Sequence, residues 1–415
     1  MSEPQVRHIL ALDIGTEYVK AVIAVPAKAS GELDIVGVGR AHQRPENMFS
    51  GAISDIRGVI KVCEQALTEA EQEAGFTTSE VVVGLAGELV KSGSTTIKYL
   101  RTDPTKPIGD HEVDNLIRTI QRKAEEKAKR EFLAEAANTD TELRLISSAI
   151  TSIFIDGHKV SSPAGFKGKE LDITLYTAFA PLVHISAIEK VCAELRLALI
   201  TIAVEPFAVA RACLGNDIES NLSTIIIDVG GGTTDLAIID RGGIVSTQMF
   251  NVAGRSFTHA IATKLDIDDE SAEKLKLHLD DPRLKPAALR KIGAAIEDNL
   301  EIWLSGIDLA LHEIPGIDRL PEQIYLSGGG ASLLEIPETL ATSDWYRNLP
   351  FTRRPLVDLL EAEVFPGLNN KTTAVLDHTF ATALGLLRVA ADTDFVAAPE
   401  DPKTLRAKLR RLLKN

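Results

Sequence analysis

The sequence predicts an α/β fold of two related lobes that face each other across a cleft, with a smaller α+β subdomain inserted into the first lobe. Strand and helix patterns alternate along most of the 415 residues, a length that suits at least two domains. A strand ending in aspartate, a turn with glycine and threonine, and a returning strand occur at Asp13 and again at Asp228. This internal duplication predicts the two lobes. Residues 87–171 interrupt it with a different pattern, which predicts the insertion.

The first lobe opens with short apolar segments within residues 9–38, which predict three strands. Apolar residues then recur every three or four positions over 54–74 and predict an amphipathic helix with Ser54 as its N-cap. A further strand is expected at 80–85.

The insertion combines a long charged helix at 110–137 with strand-like runs such as 143–155 and a loop rich in glycine and proline at 162–168. The mixed charges of residues 118–131 are typical of a solvent-exposed helix face, and a partner surface is the alternative interpretation.

The second lobe repeats the strand–turn–strand unit and continues with a mostly helical stretch at 254–320, a strand at 323–327 and a closing helix at 379–391. The predicted units are the first lobe (1–86 and 172–213), the inserted subdomain (87–171), the second lobe with a helical subdomain (214–374), the closing helix of the first lobe (375–391), a linker (392–402) and a terminal amphipathic helix (403–415).

Composition excludes several classes of protein. Lys and Arg number 45 against 59 Asp and Glu, so the net charge of −14 argues against a nucleic-acid surface over the whole molecule, and no nucleic-acid partner is expected. A local basic patch is the alternative. Cys63, Cys192 and Cys213 lie far apart, which predicts neither a disulfide framework nor a zinc site, and a reducing compartment is expected. The apolar run at 8–12 is too short for a signal peptide or a membrane span. We therefore expect a cytosolic protein unless its other end anchors it.

Two turns carry residue types that suit phosphate binding. In Asp13-Ile14-Gly15-Thr16 the glycine lets backbone approach a phosphate, Thr16 offers a hydroxyl, and the Asp13 carboxylate can hold a hydrated Mg²⁺. The second turn, Asp228-Val229-Gly230-Gly231-Gly232-Thr233-Thr234-Asp235, is more specific. Three consecutive glycines cost entropy and pack nothing, unless bare backbone must face a ligand such as a β- or γ-phosphate. An ordinary or flexible hairpin is the alternative in both cases.

A third glycine turn, Ser327-Gly328-Gly329-Gly330-Ala331-Ser332, follows a strand and enters a predicted helix, where backbone can support an α-phosphate or adenosine. Glu273 and Lys276 are three residues apart on a predicted helix and can bind ribose hydroxyls or lie beside adenine; a surface ion pair is the alternative. The sequence has no Walker motif, kinase signature or Rossmann Gly-x-Gly-x-x-Gly. Phosphate binding is therefore predicted to be shared between the lobes.

These three turns resemble the ATPase domain shared by actin, sugar kinases and heat-shock chaperones. Glu205-Pro206-Phe207-Ala208 and Ala381-Thr382-Ala383-Leu384-Gly385 are similar to its two connecting helices, and all five motifs occur in the expected order over nearly the whole chain. The insertion directly after the first strands and helix resembles the bacterial cell-division actin FtsA and the pilus-associated PilM. Ile155-Asp156-Gly157 and Pro163-Ala164-Gly165-Phe166-Lys167-Gly168 are similar to the same inserted subdomain.

The resemblance implies that ATP and Mg²⁺ occupy the cleft. The residues implied to hold phosphate are Asp13, Gly15 and Thr16 from one lobe and Asp228, Gly230, Gly231, Gly232, Thr233, Thr234 and Asp235 from the other. Asp13 and Asp228 would bind Mg²⁺ through water. The residues implied for the adenosine side are Gly328, Gly329, Gly330, Glu273 and Lys276, with Gly254 near the ribose or a phosphate. Glu205 would position the attacking water in a slow hydrolysis, or would instead cap the helix that begins at Pro206.

The C-terminal segment 403–415 carries six Lys or Arg residues and no acidic side chain. Leu405, Leu409, Leu412 and Leu413 form one apolar stripe, which predicts a basic amphipathic helix on an anionic membrane with Arg406 and Arg410 near the headgroups. So short an anchor would need self-association for avidity. Packing on the acidic body of the protein, or a disordered tail, is the alternative.

Resemblance to FtsA implies a filament-forming protein at the division site, on the cytoplasmic face of the cell membrane. It would tether the ring protein FtsZ and contact other divisome proteins. Two alternatives stay open: a PilM-like pilus assembly adaptor, and a soluble enzyme such as a sugar kinase or a chaperone ATPase.

Overall fold

The structure is a computed structural model that describes residues 8–28, 32–86, 90–135, 142–215, 221–314, 317–361 and 364–392. The amphipathic helix predicted at 403–415 and nearly all of the predicted linker lie outside the described residues. Among the described helices, none combines the length and the apolar character needed to cross a bilayer.

The described strands follow one another in chain order. They are β1 (Ile9–Ile14), β2 (Tyr18–Pro26), β3 (Leu33–His42), β4 (Met48–Phe49), β5 (Ala52–Ile53), β6 (Glu80–Leu85), β7 (Lys91–Leu100), β8 (Leu143–Ile155), β9 (His158–Lys159), β10 (Glu170–Pro181), β11 (Ala198–Val204), β12 (Thr224–Val229), β13 (Thr234–Asp240), β14 (Gly243–Phe250), β15 (Gln323–Ser327), β16 (Leu356–Leu359) and β17 (Leu368–Asn370). The described α-helices are α1 (Ile56–Ala74), α2 (Asp110–Glu135), α3 (Leu182–Glu194), α4 (Glu205–Leu214), α5 (Gly254–Leu265), α6 (Asp269–Lys276), α7 (Pro286–His312), α8 (Glu335–Thr342) and α9 (Ala381–Ala390).

Two sheets share one strand order, which confirms the duplication. The first lobe has the order β3-β2-β1-β6-β11, with β17 added beside β3, and the second lobe has the order β14-β13-β12-β15-β16. In each sheet an antiparallel meander of three strands is extended by two parallel strands. The central strands β1 and β12 are apolar on both faces up to their aspartates, because the sheets are buried on both sides.

Helices α4 and α9 form the connection between the lobes and pack closely. A Cβ added to Gly385 would lie 2.5 Å from the Ala208 carbonyl carbon, so only glycine permits this approach. The insertion forms its own sheet, β7-β10-β8-β9, whose core is covered by α2. It also touches the second lobe: Ser94 Oγ donates to the Ile244 carbonyl oxygen at 2.7 Å, and Tyr176 Oη lies 3.2 Å from Thr247 Oγ1.

Three sequence expectations are wrong in detail. Helix α1 begins at Ile56, and Asp55 rather than Ser54 is its N-cap, with Asp55 Oδ1 accepting from the Arg57 N–H at 3.0 Å. The boundary expected at residue 171 falls inside β10, which pairs along its length with β7 and β8 of the insertion. The boundary expected at 374 also fails, because β17 pairs with β3 of the first lobe.

Candidate functional site

Two equivalent hairpin turns meet at one cleft. The β1–β2 ladder ends at the pair Ile14 and Val19, and the β12–β13 ladder ends at Val229 and Thr234. The turns 15–17 and 230–233 therefore project beyond their sheets. The cleft between them has a volume of about 720 Å³. Sites for small molecules commonly have volumes of about 300–1,000 Å³.

Most residues predicted for the site line this cleft. They are Asp13, Gly15, Thr16, Glu205, Asp228, Gly230, Gly231, Thr233, Asp235, Gly254, Glu273, Lys276, Gly328, Gly329 and Gly330. Gly232 lies behind the lining, where a Cβ would come within 2.8 Å of Thr16 Oγ1. The turn of the first lobe therefore approaches Gly232 too closely for any larger residue to fit.

The side chain of Thr234 belongs to the core of the second lobe. Its hydroxyl donates to the Val252 carbonyl oxygen at 2.7 Å and accepts from Trp303 Nε1 at 3.0 Å. Both Thr234 and Trp303 are fully buried. The Thr234 hydroxyl therefore bonds within the core and does not line the cleft, in contrast to the phosphate contact expected of this side chain.

Carboxylates crowd the floor of the cleft. Asp13 and Asp235 are buried, whereas Glu205 and Asp228 are half-buried beneath the rim. Loss of hydration raises the pKa of Glu205 well above its usual range, and the negative charges of Asp13, Asp235 and Asp228 raise it further. Burial and the nearby Asp228 likewise raise the pKa of Asp235. The site thus holds more negative charge than the surrounding protein neutralises.

Two neighbouring groups favour the ionised form of Asp228. Burial raises its pKa, while the positive charge of Lys20 and a hydrogen bond from Thr382 oppose that rise. Thr382 Oγ1 donates to Asp228 Oδ2 at 2.9 Å. Because Thr382 stands at the start of α9, this bond joins the end of β12 in the second lobe to a helix of the first lobe.

Lys20 is a cleft residue that the sequence analysis missed. Its Nζ lies 3.0 Å from Asp13 Oδ2, and the two residues are direct partners in the β1–β2 ladder. The sequence contains a signal for this residue, because Lys20 follows Asp13 by the same seven positions that separate Asp228 from Asp235. The duplication therefore places Lys20 where the other lobe has Asp235.

Arg255 and Glu17, also missed, form an ion pair across the cleft. Arg255 Nη2 donates to the Thr16 carbonyl oxygen at 2.8 Å, and Arg255 Nη1 donates to the Met48 carbonyl oxygen at 3.3 Å. All three acceptors belong to the first lobe. No local pattern in the sequence links these distant positions.

The third glycine turn is shaped by its neighbours. Gly328 has φ of +82°, and a Cβ there would lie 2.2 Å from Asp228 Oδ1, so no other residue fits. Its N–H donates to the His378 carbonyl oxygen at 3.1 Å. The chain continues as a short 3₁₀ helix, Gly329–Ser332, rather than directly as the α-helix expected there.

Glu273 and Lys276 do not form an isolated surface pair. Lys276 Nζ donates to the Gly254 carbonyl oxygen at 2.9 Å and to Thr258 Oγ1 at 2.7 Å, and it lies 2.8 Å from Glu273 Oε2. The Lys276 side chain is 11% exposed. Helix α6 is thereby fastened to the start of α5 beside the cleft.

Glu205 is not a helix cap. Helix α4 begins at Glu205 itself, with Val204 at the N-cap position. Its carboxylate lies over Gly84 of β6, where an added Cβ would come within 3.0 Å of Glu205 Oε1. This position directs the carboxylate towards the aspartates of the cleft.

The donor set suits a hydrated cation rather than a directly coordinated one. Within the described residues, no group of three or more His, Cys, Asp or Glu side chains lies close enough to hold a metal ion. Asp235 Oδ1 is nevertheless buried without a hydrogen-bond partner. An orphaned carboxylate oxygen beside Asp13 and Asp228 fits a hydrated cation, because it can accept a hydrogen bond from one of the water ligands of that ion.

Comparisons with known proteins agree with this architecture. The family model described as MreB/Mbl protein matches residues 177–288. Cell division protein FtsA of Pseudomonas aeruginosa is 24% identical over 380 residues, which cover 86% of this chain and 86% of that protein. Cell division protein FtsA of Neisseria meningitidis serogroup B is 28% identical over 277 residues, which cover 66% of this chain and 62% of that protein.

A solved structure of the PilM-PilN type IV pilus biogenesis complex has a TM-score of 0.65 and 18% identity, covering 94% of this chain and 99% of that chain. At 18% identity this similarity shows the fold alone. The paired sheets and these similarities show that the chain has an actin-like fold and is similar in sequence to cell division proteins named FtsA.

Proposed function

We propose that this chain binds ATP with Mg²⁺ in the cleft and acts in cell division as a self-assembling protein that tethers FtsZ to the cytoplasmic face of the membrane. The observation that carries the nucleotide assignment is the meeting of two equivalent turns above a group of buried and half-buried carboxylates. The similarity to FtsA proteins supports the cellular role.

The phosphates would lie between the turns of the two lobes. Gly15 and Thr16 face them from one side and Gly230 and Thr233 from the other, with Lys20 supplying positive charge. Backbone turns and a threonine hydroxyl offer the hydrogen-bond donors that phosphate oxygens require. The adenosine would lie against the third glycine turn, Gly328–Gly330, between it and the Glu273–Lys276 pair.

Mg²⁺, when bound, would neutralise phosphate oxygens. Asp13 and Asp228 would hold its water ligands, and Asp235 Oδ1 is a free acceptor for one more water molecule. Glu205 would orient the attacking water. Burial and the neighbouring aspartates raise the pKa of Glu205, which makes its carboxylate a stronger proton acceptor for that water.

A sedimentation assay with vesicles of anionic phospholipid tests the membrane role. The full chain with ATP and Mg²⁺ should pellet with the vesicles and carry FtsZ with it, whereas the chain ending at residue 402 should not. Leu409→Glu breaks the apolar stripe and should abolish pelleting. Ala407→Glu adds the same charge to the opposite helix face and should preserve most of it. Equal pelleting of the full and shortened chains would contradict the tether.

The likeness in fold to the PilM-PilN structure favours a second candidate, a pilus assembly adaptor. Such an adaptor would capture a peptide from a membrane partner and would not require residues 403–415. Vesicle binding that is independent of those residues, together with failure to carry FtsZ, would favour the adaptor.

A further inference from the structure

Arg255 joins the two lobes at the rim of the cleft. It is the second residue of α5, and its N–H donates to the Gly231 carbonyl oxygen at 2.8 Å, which fixes it to the glycine turn of the second lobe. Its guanidinium donates to the Glu17 carboxylate and to the carbonyl oxygens of Thr16 and Met48, all in the first lobe. One side chain therefore makes three contacts across the gap.

The Glu17–Arg255 pair is only partly shielded from water. The Arg255 and Glu17 side chains are 30% and 28% exposed. Charge-assisted hydrogen bonds at this depth are stronger than those of a surface pair, yet water can replace either partner when the two separate. Gly231 allows the contact, because a Cβ there would lie 2.4 Å from Glu17 Cγ.

The connection between the lobes at α4 and α9 is of a different kind. It rests on apolar packing, with the Gly385 backbone against that of Ala208. A rotation of the lobes about these packed helices would displace the rim more than the floor, because displacement grows with distance from the axis. The charged contacts of Arg255 would therefore break first.

We infer that the Glu17–Arg255 pair is a latch that holds the cleft closed and slows the release of bound nucleotide. This inference rests on the proposed nucleotide binding and adds a regulatory part to the same site. Arg255 also holds the carbonyl group of Thr16, so opening the latch frees the phosphate turn of the first lobe from the second lobe. Nucleotide exchange and separation of the lobes are coupled through one ion pair.

Release of mant-ADP in the presence of Mg²⁺, chased with unlabelled ADP, measures the latch directly. Glu17→Gln and Arg255→Gln should each accelerate release about tenfold, a factor that corresponds to about 1.4 kcal/mol. The double variant should release no faster than Arg255→Gln alone, because Arg255→Gln already removes the pair with Glu17. The ion pair Arg353–Glu322, which does not line the cleft, provides a matched control, and Glu322→Gln should release at the wild-type rate.

A direct phosphate contact by Arg255 would give a different pattern. Arg255→Gln alone would then weaken mant-ADP binding, and Glu17→Gln would leave the release rate unchanged, which would overturn the latch.

Hydrogen–deuterium exchange of the ligand-free protein supplies a readout that needs no nucleotide. Peptides covering residues 15–19 and 48–53 should exchange faster in both variants, and unchanged exchange would overturn the latch. If the wild-type chain binds no mant-ADP, the nucleotide proposal fails and the exchange data decide the latch separately.

Discussion

Lys20 Nζ lies 3.0 Å from Asp13 Oδ2, directly across the antiparallel ladder of β1 and β2. The equivalent position in the other lobe places Asp235 opposite Asp228. The duplicated hairpins thus pair an acid with a base on one side and an acid with an acid on the other. The second-lobe half of the floor has an excess of negative charge that a cationic ligand would relieve.

Lys20→Met should destabilise the ligand-free protein by about 3 kcal/mol, because it leaves the buried Asp13 carboxylate without its cationic partner. The free energy of unfolding in urea measures this. Lys190→Met removes a cation from an exposed pair with Glu194 and should leave the stability nearly unchanged. Equal effects of the two substitutions would contradict the importance of burial here.

The stability of the ligand-free protein should fall as pH rises towards neutrality. A carboxyl whose folded pKa is raised binds more protons in the folded state than in the unfolded state. The loss of stability therefore begins near the ordinary value of 4.5 for Glu205 and continues through its raised pKa. Thermal unfolding between about pH 5 and pH 8 should show a shallower decline in Glu205→Gln than in the wild type. Parallel curves would mean that Glu205 does not titrate in this range.

Two neighbouring glycines should respond differently to alanine. Gly328→Ala should cost more than about 2 kcal/mol of stability, because φ is positive and the methyl group would strike Asp228. Gly329→Ala should cost less than about 0.5 kcal/mol, because a Cβ there meets nothing within 4 Å. Gly329→Ala should nevertheless weaken ATP binding if the nucleotide lies on this turn, as titration calorimetry can show. Unaltered affinity would argue against the adenosine assignment.

Thr234→Val should lower stability by about 2 kcal/mol while ATP affinity stays at the wild-type level. The substitution leaves the buried Trp303 Nε1–H without an acceptor but changes nothing that lines the cleft. Urea unfolding and calorimetric titration separate the two effects. A large loss of affinity in a stable Thr234→Val protein would restore a ligand contact for this hydroxyl.

The duplicated sheets could be predicted because their signals are local. Each lobe has apolar strands that end in aspartate and short turns that favour glycine, and these features lie within about a dozen residues of one another. The role of Thr234 was predictable in principle as well. Side chains alternate across a strand, so Thr234 must face away from the cleft if Asp235 faces it.

Other features depend on contacts that no local pattern records. Glu17 and Arg255 are 238 positions apart, and only the folded lobes bring them together. Ser54 and Asp55 are both good N-cap residues, so tertiary packing decides between them. The boundary near residue 171 failed because one long strand, β10, carries the chain out of the insertion without a break in pattern.

The hydroxyl contacts of β7 and β10 with β14 give the insertion a second attachment. The insertion leaves the first lobe and contacts the second lobe through Ser94 and Tyr176, so it bridges the two lobes. A rotation of one lobe against the other would therefore require the hydrogen bonds of Ser94 and Tyr176 to break or to find new partners.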